Sequence, residues 1–146
     1  MTQPARPSAA FCTQVRVRYQ DTDAAGVVYY ANHLAYFEVA RVELLRALGM
    51  PITEVQRCGV VLPAIEACCR YLRPALLDDL LDVWLWPTEL GHVRFAFSYE
   101  IRRGDELVAT GSTRHAVVDQ SSGRAVPVPE WIGTLFRRMA ELEQKG

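Results

Sequence analysis

The sequence predicts an α+β fold in which one antiparallel sheet curls about one long helix. Three observations carry this. An alternating stretch opens the chain, a run of 18 residues apolar on almost every side follows it, and four strand-like stretches separated by turn signals come after. A helix that is apolar nearly all round belongs in an interior, so the sheet has to wrap it.

The first strand is read from Phe11, Thr13, Val15, Val17 and Tyr19 alternating with Cys12, Gln14, Arg16 and Arg18, the period of two of a half-buried strand. Residues 1–10 are expected to be a loose tail. From Ala31 to Leu48 the period becomes helical: Leu34, Tyr36, Phe37, Ala40, Leu44, Ala47 and Leu48 form one stripe, and Ala35, Val39 and Val42 make the other side apolar. Gly49 and Pro51 end that helix. Four strands are predicted at 60–72, 80–89, 92–102 and 107–119. Turns fall at Leu90-Gly91 and Arg103-Gly104-Asp105. The third is the clearest, with Val93, Phe95, Phe97, Tyr99 and Ile101 on one face. Pro129 then opens a short amphipathic helix bearing Trp131, Ile132, Leu135, Phe136 and Met139.

At 146 residues the chain is expected to form a single domain spanning 1–146. A net charge of −1 with 23% charged residues gives no global attraction to nucleic acid or to a membrane surface, so any polyanionic ligand must be met by a local patch. No apolar run approaches the roughly 18 residues of a membrane span, and no signal peptide opens the chain; the expected location is cytoplasmic. Cys12, Cys58, Cys68 and Cys69 lack the paired spacing of a zinc site and are read as core thiols, with no metal and no cofactor expected.

Chemistry concentrates in Tyr19-Gln20-Asp21-Thr22-Asp23-Ala24-Ala25-Gly26-Val27-Val28-Tyr29-Tyr30. Two carboxylates one residue apart precede a helix whose first N–H groups have no intrahelical partner. A carboxylate can serve as nucleophile or general base, and helix-terminal amides can polarise a carbonyl oxygen. The competing reading is that both acids simply form turns.

The wider run, with Asn32-His33, Phe37-Glu38 and Ala40-Arg41, resembles the opening of the 4-hydroxybenzoyl-CoA thioesterase family, and within it the Tol-Pal-associated acyl-CoA thioesterase branch. Thr110-Gly111, Val117-Val118-Asp119, Gly123-Arg124 and Val128-Pro129 extend the likeness to the carboxyl end. The resemblance implies a hotdog fold assembled into homodimers or homotetramers with shared active sites, hydrolysing acyl-CoA. It assigns the catalytic carboxylate to Asp23 and the electrophilic backbone N–H to Tyr30, leaving Asp21 as a supporting or turn residue. It also implies contacts to coenzyme A from His92, Arg94 and Arg124, the alternative being solvated strand-end residues. The aromatic-substrate archetype has a denser basic cluster where this chain reads Gly91-His92-Val93-Arg94.

His33, just inside the helix, is either a substrate contact or a packing residue. Glu38 and Arg41 sit three apart on the helix; they read as a structural or inter-subunit ion pair, with Glu38 as an alternative catalytic acid. Trp84 and Trp86 share one strand face and read as core or interface. Two rival functions stand beside the thioesterase: a hotdog hydratase-dehydratase acting on acyl-CoA or acyl carrier protein, and a non-catalytic acyl-carrier interaction module. An acyl carrier protein is a second candidate partner.

Overall fold

In the computed structural model, which describes residues 3–145 and the side chains of 3–139, the elements run β1 (Phe11–Arg16), α1 (Asn32–Ala47), α2 (Ile52–Arg57), β2 (Val60–Val61), β3 (Ala64–Tyr71), β4 (Leu80–Leu90), β5 (Arg94–Arg103), β6 (Glu106–Asp119), β7 (Ala125–Val126) and α3 (Glu130–Lys145). Every strand pairing is antiparallel, in the order β1-β4-β5-β6, with β3 and β2 along the outer side of β6. The curled sheet about a long helix is therefore present, as five long strands and two of two residues each.

The core lies between α1, α3 and the sheet face carrying Leu81, Val83, Leu85, Phe97, Tyr99 and Ile101, all buried. Alternation along β4 and β5 delivers those side chains to one face. The ring of Phe37 stacks on Tyr99 at 4.2 Å between centroids. Gly111 on β6 makes this approach possible, because a Cβ there would strike the Phe37 ring and lie 2.7 Å from the Cys68 carbonyl. Helix α1 buries His33, Tyr36, Phe37, Ala40 and Leu44, but leaves Leu34 and Val39 exposed. Its second apolar side is thus open in the single chain. No helix among the described residues is long and apolar enough to cross a membrane.

The structure corrects several expectations. The first strand stops at Arg16 rather than Tyr19, because Asp21 folds back and accepts the Arg18 amide at 3.1 Å, closing a tight helical turn over Tyr19–Asp21. The stretch 60–72 is broken into β2 and β3 around Pro63, which has no N–H to give to a ladder. Helix α2 went unread, since six residues with only Val55 buried are too short to show a period. Within the tail expected to be loose, Gln3 Nε2 donates to the Tyr99 carbonyl at 2.8 Å, and Arg6 sits 3.9 Å above the Trp84 ring and 3.6 Å from Glu100. That packing spans the sheet face remote from α1. Of the cysteines read as core thiols, Cys69 packs half-buried against the core, whereas Cys12 is half-buried outside it and Cys58 and Cys68 are exposed; all four are free.

Candidate active site

Asp23 begins a tight loop. Its N–H donates to Val27 O at 2.9 Å and its carbonyl accepts from Gly26 N–H at 3.0 Å. Gly26 takes φ +81°, which costs glycine nothing and other L residues strain. The carboxylate is exposed; Oδ1 accepts from the Ala25 N–H at 2.9 Å, while Oδ2 has no hydrogen-bond partner among the described residues. Asp21 is its opposite. It is 6% exposed, and its carboxylate accepts from the Arg18 amide at 3.1 Å, the Arg18 guanidinium at 3.3 Å and the Tyr36 hydroxyl at 2.9 Å. Burial pushes its pKa upward, but these donors together outweigh burial and hold the carboxyl below its ordinary value. One acid is thus built into the frame and the other is free to react.

The frame delivers the start of α1 to Asp23. Asp21 O accepts from the Tyr29 amide at 2.9 Å and from Asn32 Nδ2 at 2.9 Å, and Val28 N–H reaches Ala75 O at 2.8 Å. The Tyr30 N–H donates to no acceptor among the described residues. The Tyr30 carbonyl, by contrast, accepts from the Tyr71 hydroxyl at 2.8 Å and from His33 Nδ1 at 2.9 Å. A carbonyl only accepts, so His33 carries its proton on Nδ1. Burial, the largest influence, lowers the His33 pKa and keeps the ring neutral. The ring also meets Tyr71 edge-on at 4.7 Å. His33 is therefore a clamp on the helix start, and its bonded nitrogen faces backbone, not an acid.

Asp23, Tyr30 and His33 line one open cleft of about 350 Å³, together with Tyr71, Arg73 and Ala75. Sequence reasoning did not single out Tyr71 or Arg73; the available signal was Tyr71-Leu72-Arg73-Pro74, where a proline ends a strand beside the loop. The other three expected residues stand apart from this cleft. Tyr71 is level with Ala109, and Ala109 with Ile101. Arg94 begins β5 seven residues earlier, roughly 24 Å away at the usual strand rise. His92, in the preceding turn, accepts the Val128 amide at 2.8 Å, and Arg124 precedes β7, so all three exposed residues gather at the far end of the sheet.

A second cavity of about 350 Å³ lies at that far end, between α1 and α3, bounded by Glu38, Arg41, Phe95, Phe97, His115 and Trp131 among others. The expected Glu38–Arg41 ion pair is absent: among the described residues no carboxylate lies within 4.0 Å of Arg41. Arg41 Nη1 donates instead to Tyr99 Oη at 3.0 Å. The hydroxyls of Tyr99 and Thr113 lie 2.6 Å apart, Thr113 Oγ1 is 2.9 Å from His115 Nε2, and His115 Nδ1 is 3.2 Å from Leu62 O. Because Leu62 O can only accept, Nδ1 holds the proton and Nε2 accepts from Thr113. Thr113 then accepts from Tyr99, which in turn accepts from Arg41. Burial, aided by the nearby Arg41 charge, lowers the His115 pKa to about 4.

Comparison with known proteins agrees with this architecture. The family described as the thioesterase-like superfamily matches residues 17–136. A 1,4-dihydroxy-2-naphthoyl-CoA hydrolase of Nostoc punctiforme is 37% identical over 130 residues, covering 86% of this chain and 87% of that one. An acyl-CoA thioesterase of Haemophilus influenzae is 34% identical over 134 residues, covering 88% and 96%. The crystal structure of a 1,4-dihydroxy-2-naphthoyl-CoA thioesterase from Synechocystis shares the fold with a TM-score of 0.80 at 28% identity, covering 87% and 95%. Both the match over most of the chain and the curled sheet about α1 identify a hotdog protein, and the chain belongs to the thioesterase-like superfamily.

Proposed function

We propose that the protein is an acyl-CoA thioesterase, of the 4-hydroxybenzoyl-CoA thioesterase type and nearest to the Tol-Pal-associated branch, converting a thioester to a free acid and coenzyme A. The observation that carries this reading is the cleft shared by the free Asp23 carboxylate and the unengaged Tyr30 amide. The thioester oxygen sits on the Tyr30 N–H, which stabilises the charge that develops there. Asp23 either attacks the carbonyl carbon, breaking the C–S bond to leave a mixed anhydride that water then hydrolyses to the free acid, or takes a proton from the water that attacks and returns it to the thiolate as the C–S bond breaks. A hydratase would need an imidazole paired with an acid beside α1. His33 gives its Nδ1 proton to a backbone carbonyl, which favours hydrolysis.

On this reading His33 borders the substrate as a neutral wall, while His92, Arg94 and Arg124 hold the coenzyme A phosphates of a site shared between two chains. Antiparallel pairing of two copies along β3, whose outer edge is unpaired among the described residues, would set the Ala64 end of one against the Tyr71 end of the other. Ala64 is level with Phe95, so the partner's Arg94 region would approach this chain's Asp23 cleft. The exposed Leu34 and Val39 of α1 and Ile65 of β3 fit the same pairing. The protein then acts as a single-domain, cytoplasmic homodimer or homotetramer, and acyl carrier protein thioesters are a second substrate form.

A panel of aromatic and aliphatic acyl-CoAs, followed with a thiol reagent, tests the activity. Thiol release that Asp23→Asn removes supports the reading. No release from any member, or release undiminished in Asp23→Asn, sinks it.

A further inference from the structure

The cavity beneath α3 is not explained by the proposed chemistry. It shares no lining residue with the Asp23 cleft. Arg41 lies 11 residues beyond Tyr30 on α1, roughly 16 Å along the helix axis. Its volume of about 350 Å³ falls in the range of small-molecule sites, and Phe95, Phe97, Trp131 and Phe136 give its mostly apolar wall an aromatic part. Phe95 is stacked on His115 at 5.1 Å, and Phe97 meets Phe136 at 5.4 Å, so the wall is preformed.

One wall is charged. Arg41 is half-buried and carries five N–H donors in a planar fork. A single donor is used, on Tyr99 Oη. The rest meet no acceptor among the described residues and are open to solvent rather than buried. The chain Arg41, Tyr99, Thr113, His115, Leu62 O runs in one direction only, and every link beyond Arg41 has its proton spent. Neither Tyr99 nor Thr113 has a proton left to offer a ligand, and neutral His115 has both nitrogens engaged. Among the described lining residues Arg41 is therefore the charged donor that remains for a bound molecule.

We propose that this cavity binds a compact aromatic carboxylate, with the ring between the phenylalanines and Trp131 and the carboxylate on the free edge of the Arg41 fork. Glu38 lines the same cavity at its exposed side, and its charge opposes an anion; the acid is held against that repulsion by Arg41. The directed chain makes Tyr99 a positioning residue, since it fixes one arm of the guanidinium and leaves the other arms facing the cavity.

The test is isothermal titration of the full chain with 2-naphthoate and with the neutral 2-naphthalenemethanol. The acid is expected to bind about tenfold or more tightly than the alcohol, a preference that Arg41→Met abolishes. Glu38→Gln is expected to hold or tighten acid binding by removing the opposing charge. Leu135→Trp fills the cavity and is expected to remove binding of both compounds. Equal affinity of the wild-type chain for acid and alcohol would overturn the proposal without reliance on any variant. So would an acid preference that survives Arg41→Met, weaker acid binding in Glu38→Gln, or no heat at millimolar ligand. Because neither compound is a thioester, these outcomes are independent of whether the chain hydrolyses acyl-CoA.

Discussion

Tyr36 Oη donates to Asp21 Oδ2 at 2.9 Å, tying the buried acid to the second turn of α1. Asp23, two residues on, keeps one carboxylate oxygen free of protein partners among the described residues. The two acids are alike in sequence and opposite in surroundings, so their substitutions should fail in different ways.

Asp23→Asn is expected to lower kcat by on the order of 10²-fold or more, since a positioned base or nucleophile contributes at least that much, with the unfolding midpoint near wild type. Asp21→Asn should reverse the pattern. It weakens bonds to three donors and should cost about 1–3 kcal/mol of stability, with a smaller loss of turnover. Steady-state kinetics and urea unfolding on both variants check this, and a wild-type kcat in Asp23→Asn would move the catalytic acid elsewhere, with Glu38 next in line.

The buried histidine sets how the fold responds to acid. The unfolded chain binds a proton at His115 near pH 6.5, but the native ring resists it down to about 4. The unfolded state therefore holds more protons in that window. Stability from this group is complete above 6.5 and is lost as the pH falls toward 4, by up to about 3 kcal/mol. Asp21 and Asp79, whose folded values lie below the ordinary 3.8, add a second loss at still lower pH. Nitrogen-15 spectra should show His115 neutral and protonated on Nδ1 at pH 5.5. A ring titrating at 6.5 in the folded protein would contradict this.

Gly111→Ala should destabilise by about 1–3 kcal/mol through overpacking, because the new methyl group meets the Phe37 ring and the Cys68 carbonyl. Backbone strain is not the cause, since Gly111 has no positive φ. Phe37→Leu made in the Gly111→Ala background should cost less than in wild type. Strictly additive losses in the four-protein cycle would show that the ring is not what the methyl group strikes.

Hybrid dimers test whether the site is shared between two chains. Arg94→Ala and Arg124→Ala should raise KM with little change in kcat, as expected for contacts made equally in ground and transition states. A hybrid of an Asp23→Asn chain with an Arg94→Ala, Arg124→Ala chain would then contain one site with both defects and one with neither. About half the wild-type activity at the wild-type KM is expected. A hybrid showing only the raised KM would mean that acid and arginines serve the same site within one chain.

Element types were legible wherever a period ran long enough. The 18-residue apolar run gave α1 to within a residue at each end, and Phe95, Phe97, Tyr99 and Ile101 gave β5 and its inward face. What stayed hidden was decided by single contacts. Nothing in Tyr19 or Gln20 announces that Asp21 will fold back on Arg18 and stop β1, and nothing in Gln3 announces a reach to the Tyr99 carbonyl. At the site, the run around Asp23 drew attention through its spacing and through resemblance, whereas Tyr71 and Arg73 arrive from the end of β3 and the segment just after it, some 40 residues away, a proximity only the folded sheet creates. Within the chain the Glu38–Arg41 pairing failed because spacing on a helix permits a contact without supplying the competing acceptor, here the Tyr99 hydroxyl.

The Tyr30 N–H has no acceptor among the described residues, and on the proposed reading it is this group, not the phenol, that the substrate meets. Chemistry that rests on a peptide group is indifferent to the side chain attached to it. On the proposed reading, position 30 can drift through most of the amino-acid alphabet without loss of turnover, and proline alone, having no N–H, is forbidden. A scan of this chain by alanine would therefore pass over one half of its catalytic pair, and selection acting on the enzyme would leave that half almost without a signature of its own.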